Sequence, residues 1–427
     1  MPSYWVETLG CPKNEVDSDV IEGTLRADGL VRAADPESAD LVVVNTCAFI
    51  EAAREESVAV TLDLAGRRRD GAALVVTGCM AERYTDELAE ALPEADAVVG
   101  FAGQTDLARF GGATPVAAPV RRRSAPAPAL DLAHVVRPAP DRPWAYVKVA
   151  EGCDKSCGFC AIPTFRGPQR SRPIDDVVAE VDRLGVAEVV LVAQDLAAYG
   201  RDRTADAPGP RRITELVTAV AERVPWVRLL YLYPSELTDE LVELIATGPV
   251  PYFDLSLQHV AAPLLRSMRR WGDGDRFLER IESIRRIRPD ATFRSNFIVG
   301  YPGERERDHE ELLDFVEAAE LDWCGCFEWS PEEGTPAAGL DGRVEPEVVR
   351  LRLRELGELA DGITARRREA LVGTTVEVLV DEPGVARSHR EAPSIDGVVQ
   401  VPASLTVGTF HRVRVVDAVG PDLIAEP

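Results

Sequence analysis

The sequence has little lysine, and its basic residues are far outnumbered by acidic ones. Lys13, Lys148 and Lys155 are the only lysines in 427 residues, and 72 Asp and Glu face 48 Lys and Arg, giving a net charge of −24. Broad nucleic-acid affinity relies on Lys and Arg that neutralise phosphates, so this charge argues against it. An acidic surface suits a basic partner, although a general compositional preference for Asp and Ala explains the charge as well.

The sequence also lacks targeting and membrane-spanning signals. The N-terminus has no basic segment followed by an apolar one, as a secretory signal would. No apolar run approaches the ~18 residues that a membrane span requires. We therefore expect a cytoplasmic protein without membrane association, whose eight cysteines are metal-bound or free rather than paired in disulfides. Its length predicts two to four domains.

Three short apolar runs in residues 1–110 each end in a cysteine, at Cys11, Cys47 and Cys79. Helical patterns separate the runs, which predicts an open parallel α/β sheet with helices on its faces. The carboxyl ends of such strands share one edge, where ligands bind. Three thiols at that edge could meet at one point. The alternative is that each cysteine packs at its strand end as a small hydrophobe.

The rest of the chain divides into four further parts. Residues 111–143 are rich in Pro and Ala and predict a linker. Residues 144–344 hold six apolar strand candidates with helical patterns between them, which predicts an incomplete βα barrel. A long helix is expected over residues 345–371, followed by a small β-barrel over residues 372–427.

A second group of cysteines, Cys153, Cys157 and Cys160, follows the first predicted barrel strand with the spacing C-x3-C-x2-C. Closely spaced thiolates select zinc or iron–sulfur clusters. A 4Fe–4S cluster held by three cysteines leaves one iron with an open position, which is typical of a catalytic rather than a structural site. The alternative is a zinc knuckle completed by a distant Cys or His.

This motif, after the first strand of an incomplete βα barrel, resembles the signature of the radical S-adenosylmethionine (SAM) superfamily. The resemblance implies a 4Fe–4S cluster on Cys153, Cys157 and Cys160 whose free iron is chelated by SAM. It also implies that reductive cleavage of SAM releases a 5′-deoxyadenosyl radical.

The whole chain resembles the radical SAM methylthiotransferases, whose C-terminal β-domain is called TRAM. That resemblance implies a second 4Fe–4S cluster on Cys11, Cys47 and Cys79, two SAM molecules per turnover, and no side chain acting as a catalytic acid or base. The electron donor and the source of the inserted sulfur are not implied.

The substrate branch is indicated by several stretches, including "LGCPKNEVDSD", "DLSLQHVAAPLLRSMRR" and "ARSHREAPSIDGVVQV". They are similar to the protein-modifying branch, which adds a methylthio group to the β-carbon of an aspartate in small-subunit ribosomal protein S-twelve. By this resemblance no tRNA is expected as a partner. Two alternatives stay open: a tRNA adenosine methylthiotransferase with the same clusters, and a non-catalytic iron–sulfur factor of ribosome assembly.

Other candidate residues lie at the ends of predicted barrel strands, where the resemblance implies that they surround SAM. They are Gln194, Asp195, Gln258, His259, Gly300 and Gly303. The two glycines would allow the backbone to approach adenine or ribose closely. For His259 a hydrogen-bonded structural role is the alternative.

Two further sequence features concern the C-terminal half. Cys324 and Cys326 are two residues apart on a predicted strand, so their side chains share one face, and we expect buried packing rather than ligation. From Leu371 to Pro427 eight acidic residues face four arginines and no lysine. We expect this acidic domain to dock a basic substrate protein, with Asp381, Glu382, Glu391 and Asp396 at its centre.

Overall fold

The computed structural model describes residues 1–112, 137–202 and 209–427. The predicted linker, residues 111–143, lies mostly outside these ranges. Two compact units are formed. The first comprises Met1–Ala139, Glu151–Lys155 and Cys160–Arg172, and the second comprises Pro140–Ala150, Ser156–Phe159 and Pro173–Pro427.

The first unit contains the predicted open parallel sheet. Its strands are β1 (Ser3–Thr8), β2 (Val31–Arg32), β3 (Leu41–Thr46), β4 (Ala73–Gly78) and β5 (Ala97–Val99), and its helices are α1 (Pro12–Ala27), α2 (Glu51–Arg67), α3 (Cys79–Arg83) and α4 (Thr85–Ala91). The strand order is β2-β1-β3-β4-β5, and each described pairing is parallel. β3 is fully buried, as expected for a central parallel strand that helices cover on both faces.

The segment around the three-cysteine motif has little regular structure. It contains β7 (Ala150–Glu151), α5 (Ile162–Arg166) and β8 (Arg170–Ser171), after β6 (Trp144–Lys148) of the second unit. Ala161 and Phe165 of this segment belong to the apolar core of the first unit, together with Met80 and Leu88.

The second unit contains all six predicted barrel strands. They are β6, β9 (Glu188–Val192), β10 (Trp226–Leu229), β11 (Tyr252–Gln258), β12 (Thr292–Val299) and β13 (Trp323–Glu328). They form two parallel sheets, β6-β9-β10 and β11-β12-β13, which a parallel bridge between Leu232 and Leu255 connects. This sequential order of six parallel strands confirms the incomplete βα barrel.

Helices surround these strands and supply the outer half of the core. They are α6 (Ile174–Leu184), α7 (Ile213–Ala221), α8 (Asp239–Thr247), α9 (Ala262–Ser267), α10 (Gly274–Ile287) and α11 (Glu306–Ala319). α6 shows how the pattern works: its Val177, Val181 and Leu184 are buried at helical spacing, and Gly185 ends it in the left-handed conformation.

A long helix and a closed barrel complete the second unit. The helix is α12 (Pro346–Glu369), and the barrel strands are β14 (Thr375–Glu382), β15 (Val385–Arg387), β16 (Val399–Gln400), β17 (Phe410–Val419) and β18 (Asp422–Glu426). Val378, Val380, Val415 and Leu423 are fully buried in its interior. Within the described residues, no helix combines the length and apolarity needed to cross a bilayer.

Candidate functional site

The three N-terminal cysteines lie at one edge of the parallel sheet. Cys47 and Cys79 directly follow β3 and β4, and Cys11 follows β1 by three residues and caps the N-terminus of α1. β1, β3 and β4 are adjacent strands of this sheet. The three thiols are therefore brought to one edge, as predicted. We call them the strand-end cysteines.

Asn14 ties together the loops that carry these cysteines. Its amide donates to the carbonyl of Leu9 at 2.9 Å and to that of Thr46 at 3.0 Å, immediately before Cys47. Its Oδ1 accepts from the Sγ of Cys79 at 3.6 Å. One buried side chain thus fixes the approach to all three cysteines, because a buried amide with several partners holds a single orientation.

Glycines allow the strand-end cysteines to sit closely together. Gly10 and Gly78 precede Cys11 and Cys79 with φ of +93° and +92°. A Cβ on Gly10 would lie 2.7 Å from the Cβ and 2.8 Å from the Sγ of Cys47. Both the positive φ and the close approach therefore require glycine at position 10.

Two of the strand-end thiols, Cys47 and Cys79, are poor thiolates unless positive charge is brought to them. Burial, with the nearby Cys11 and Cys79, raises the pKa of Cys47 to about 12. Burial also raises the pKa of Cys79, against the opposing effect of Arg166. Three mutually repelling thiolates are a soft donor set suited to an iron–sulfur cluster, whose iron supplies the missing charge. The chemistry of this donor set therefore fits such a cluster.

Arg166 brings a positive charge to this site, and the sequence does not reveal it. It is 3% exposed and donates to the Sγ of Cys79 at 2.9 Å and to the Oδ1 of Asn14 at 3.1 Å. Although burial alone would lower its pKa, Cys79 and two carboxylates raise the pKa of Arg166 well above its ordinary value. The available signal was an arginine six residues after a cysteine motif, which is too common to be read from sequence alone.

The motif cysteines, which we call the loop cysteines, are less buried. Cys153, Cys157 and Cys160 are all of intermediate exposure. In the first unit, the amide of Cys153 donates to the carbonyl of Gly167 at 3.1 Å, and the amide of Lys155 donates to the Sγ of Cys153 at 3.4 Å. Backbone amides directed at a sulfur favour the thiolate, which is the form that binds iron.

Cys157 has an arginine partner of its own in the second unit. The guanidinium of Arg270 donates to the Sγ of Cys157 at 3.4 Å and stacks over the ring of Tyr233 with its carbon 4.1 Å from the centroid. The amide of the next residue, Gly158, donates to the carbonyl of Met268 at 2.8 Å. Arg270 was also missed from sequence, because its partner is 113 residues away.

Neither cysteine set is arranged as the ligands of a single metal ion. In the ranges that the structure describes, no three or more His, Cys, Asp or Glu side chains are drawn together as they would be around a single ion. A cubane cluster binds each cysteine through a different iron, so it spaces its ligands more widely than one ion does.

The predicted SAM-contacting residues lie at strand ends, as expected. Gln194 and Asp195 follow β9, and Asp195 is buried. Gln258 ends β11 with a positive φ of 72°, which is uncommon for a residue other than glycine. Its Oε1 is buried and has no hydrogen-bond partner among the described residues. A buried acceptor without a donor is costly, so a polar ligand at this strand end would satisfy it. Contact with SAM stays a prediction for these residues.

His259 is built into the backbone at the end of β11. Its Nδ1 accepts from the amides of Val260 at 2.9 Å and Ala261 at 3.1 Å, so the proton of the neutral ring lies on Nε2. Burial lowers its pKa to about 3, and the ring is therefore neutral at physiological pH. This geometry favours the structural role, while its buried Nε2 lacks a partner among the described residues.

The candidate glycines Gly300 and Gly303 differ in how closely other atoms approach them. A Cβ on Gly300 would lie 2.8 Å from Val349 of α12, so this glycine lets a helix pack closely. The expectation that Gly300 makes room for adenine or ribose therefore has a competing explanation in protein packing. Gly303 has a φ of +87° with no atom within 4 Å of an added Cβ, and its amide donates to the carbonyl of Gly342 at 2.8 Å.

The expected acidic docking surface is wrong for two of its four residues. Glu391 is fully buried and ion-paired with Arg368. The carboxylate of Asp396 is 2% exposed and accepts from the hydroxyl of Tyr252 at 2.6 Å. These acids neutralise arginines inside the second unit, so sequence charge alone overstated the acidity of the surface.

Of the four predicted docking residues, Asp381 is half-buried and ion-paired with Arg387, and Glu382 is exposed. The other exposed acids of the C-terminal barrel are Glu377, Asp417 and Glu426.

Cys324 and Cys326 of β13 pack against the main apolar core of the second unit, in agreement with the packing role expected for them.

Three family descriptions match the chain. "Uncharacterized protein family UPF0004" matches residues 3–100, the Radical SAM superfamily matches residues 147–316, and the TRAM domain matches residues 372–427. The six-stranded parallel barrel with its cysteine loop, followed by the closed C-terminal barrel, therefore defines a radical SAM enzyme with a TRAM domain. This class implies an iron–sulfur cluster and SAM as cofactors.

Full-length relatives narrow the class. The ribosomal protein uS12 methylthiotransferase RimO of Moorella thermoacetica is 46% identical over 404 residues, which cover 93% of this chain and 92% of that protein. The RimO of Cutibacterium acnes is 41% identical over 470 residues, covering 98% and 97%. The chain belongs to the RimO family of methylthiotransferases, and it is a SAM-dependent radical transferase.

A solved structure agrees on the fold. The cobalamin-dependent S-adenosylmethionine radical enzyme OxsB with aqua-cobalamin bound aligns with a TM-score of 0.50 at 11% identity, over 85% of this chain and 56% of that chain. At this identity the likeness concerns the fold alone.

Proposed function

We propose that this chain transfers a methylthio group to the β-carbon of an aspartate in ribosomal protein uS12, in the cytoplasm. The named substrate of its full-length relatives supports this. The observation that carries the proposal is the presence of two separate three-cysteine sets. One lies at the ends of adjacent buried strands and the other on a loop after the first barrel strand.

Two cysteine sets support two 4Fe–4S clusters, of which the loop cysteines would hold the one that binds SAM. When bound, the clusters and two SAM molecules per turnover supply the radical and the methylthio group that an unactivated C–H bond requires. Three ligands per cluster leave one iron open in each, which suits exchange of a small ligand rather than electron storage.

The residues of the chain contribute position and enclosure rather than proton transfer. Asn14 and Gly10 fix the strand-end cysteines, and Arg270 holds a positive charge at Cys157. Gln258 offers a buried acceptor at the end of β11 for a polar ligand. His259 is neutral with its Nδ1 occupied, which argues against His259 as a catalytic acid or base.

The proposal is tested by mass spectrometry of uS12 from cells with and without the gene. The expected result is that one aspartate-containing peptide carries the mass of one methylthio group replacing hydrogen only when the gene is present. Unchanged uS12, together with loss of a methylthio group from tRNA adenosine, would favour the tRNA branch instead.

A second measurement separates the enzyme from a non-catalytic assembly factor. The protein is purified without oxygen, reduced and mixed with SAM, and 5′-deoxyadenosine is measured. We expect its formation, whereas a factor that uses iron–sulfur sites only for folding would form none.

A further inference from the structure

Arg166 joins the segment of the loop cysteines to the strand-end cysteines within the first unit. It ends α5, which begins two residues after Cys160. One terminal nitrogen donates to the Oε1 of Glu151 at 2.8 Å, on the other side of the motif. Arg166 and Glu151 thus close the base of the segment that carries all three loop cysteines.

The other terminal nitrogen is directed at the strand-end site. It donates to the Sγ of Cys79 at 2.9 Å, to the Oδ1 of Asn14 at 3.1 Å and to the Oδ2 of Asp17 at 3.1 Å. The ring of Phe101 packs beside the guanidinium, 4.7 Å from its carbon to the ring centroid. A planar guanidinium serves all these acceptors at once, which a lysine ammonium could not do in one position.

Arg166 places a positive charge among buried negative groups. The side chains of Asp17 and Glu151 are 1% and 6% exposed, and each carboxylate accepts a hydrogen bond from the guanidinium that also donates to the Cys79 sulfur. Hydrogen bonds from a charged donor to a cluster sulfur, and net charge around the cluster, set its reduction potential.

We propose that Arg166 is a positioning residue that acts through Cys79 to raise the reduction potential of the cluster on the strand-end cysteines. This inference rests on the proposed function, which assigns a cluster to Cys11, Cys47 and Cys79. Glu151, which shares the guanidinium, opposes the effect. The same guanidinium bonds Glu151, which precedes Cys153 by two residues in the first unit.

The test uses the full chain with Cys153, Cys157 and Cys160 all changed to Ala, reconstituted with iron and sulfide. This background should bind about four irons. A background that binds no cluster would contradict the proposed function itself, before Arg166 is examined. The midpoint potential is then followed by electron paramagnetic resonance in Arg166→Gln, Glu151→Gln and Arg170→Gln versions of the background.

We expect Arg166→Gln to lower the potential by at least the equivalent of a tenfold change in the reduction equilibrium, about 59 mV for one electron. Glu151→Gln should raise it, because the guanidinium then meets one fewer carboxylate. Arg170→Gln should leave it unchanged, since Arg170 bonds only weakly to backbone carbonyls, at 3.3 Å and 3.5 Å.

The potential should fall in Arg166→Gln and rise in Glu151→Gln. A merely structural role of Arg166 would change the cluster content or the stability of both variants, but would not shift their potentials in opposite directions. An unchanged potential in a cluster-containing Arg166→Gln protein would overturn the inference. If Arg166→Gln does not fold, the Glu151→Gln variant tests the inference instead. A midpoint potential that does not rise in Glu151→Gln would overturn the inference as well.

Discussion

The two cysteine sets of this chain are built in opposite ways. The strand-end cysteines follow adjacent strands: Cys47 and Cys79 are only 6% and 7% exposed, Cys11 is half-buried, and Arg166 beside Cys79 is 3% exposed. The three loop cysteines are all half-buried on a segment with little regular structure, and Arg270 beside Cys157 is half-buried too.

This difference agrees with separate roles for the two sets, in which the loop cysteines serve SAM cleavage and the strand-end cysteines serve methylthio transfer. A site on a partly exposed loop can admit a ligand the size of SAM, whereas a site on packed strand ends would hold a cluster in a fixed position. Rigid elements place a reacting group more accurately than loops do. We therefore expect damage to each set to remove a different part of the reaction.

The largest effect is expected from the loop cysteines. Changing Cys153, Cys157 or Cys160 to Ala should abolish SAM cleavage and reduce iron from about eight to about four per chain. The fold and the strand-end site should persist, because the first unit has its own apolar core. Measuring 5′-deoxyadenosine and iron checks this, and SAM cleavage that survives in any variant would contradict the assignment.

Changes at the strand-end cysteines should cause an equally complete loss, but of methylthio transfer rather than of SAM cleavage. Cys11→Ala, Cys47→Ala or Cys79→Ala should keep reductive SAM cleavage and eliminate methylthio transfer to uS12. Product formation is followed by mass spectrometry of the substrate protein. Full methylthiolation by such a variant would mean that these cysteines do not carry the transferred group.

A smaller effect is expected from crowding the strand-end site without removing a ligand. Gly10→Ala adds a Cβ that would lie 2.7 Å from that of Cys47, whereas Gly303→Ala meets no atom within 4 Å. Both glycines have positive φ, so each variant incurs backbone strain of ~1–3 kcal/mol. Gly10→Ala alone should also incur overpacking of ~1–3 kcal/mol and lose iron from this site.

The two glycine variants are compared by chemical unfolding and by iron content in the background without loop cysteines. Iron loss in Gly303→Ala equal to that in Gly10→Ala would show that strain, rather than contact with Cys47, explains the result.

A pH effect at Asp396, which bonds to neither cysteine set, serves as a control. Burial raises the pKa of Asp396 to about 6, against the opposing effects of Arg294 and the Tyr252 hydroxyl. The folded state thus binds this proton more tightly than the unfolded state, so its contribution is complete below about pH 4 and is lost as pH rises through 6.

Asp396→Asn should remove this decline in unfolding free energy between pH 4 and 6, because an amide mimics the protonated acid. Neither cysteine set should lose iron, since Asp396 bonds to Tyr252 and to the amide of Ala392, not to either set. Unfolding curves at several pH values check the first point and iron analysis the second. A variant with the wild-type pH profile would contradict this account of Asp396.

The smallest effect is expected at Arg270. Its hydrogen bond to Cys157 is 3.4 Å long and half-exposed, whereas that of Arg166 to Cys79 is 2.9 Å and buried. Solvent screens the exposed charge, so Arg270→Gln should shift the potential of the loop cluster less than Arg166→Gln shifts that of the strand-end cluster. Potentiometry on proteins carrying one cluster each compares them. If Arg270→Gln shifts its cluster potential as much as Arg166→Gln does, or more, burial of the arginine does not determine the size of the shift.

Much of this architecture could be predicted from the sequence, because it follows from local patterns. Short apolar runs predict all six barrel strands, and the runs that form β3 and β4 are followed directly by Cys47 and Cys79. Both cysteine sets are recognisable because their spacing, or their repeated place at strand ends, is itself the signal.

The contacts that tune these sites could not be predicted, because they join distant parts of the chain. Arg166 meets Asn14 across 152 residues, and nothing local to either residue indicates the other. For the same reason the sequence predicts a surface position for Glu391, whereas Arg368 neutralises it in the interior. The sequence also predicts that Gly300 makes room for adenine or ribose, yet an added Cβ there would lie nearest to Val349.

The separate roles of the two cysteine sets can be tested in a single sample. The reconstituted protein with Cys11, Cys47 and Cys79 changed to Ala is mixed with SAM, reductant and uS12, and 5′-deoxyadenosine and methylthiolated uS12 are quantified in the same sample. We expect 5′-deoxyadenosine without methylthiolated product. Absence of both products from a folded, iron-containing variant, or the presence of both, would contradict it.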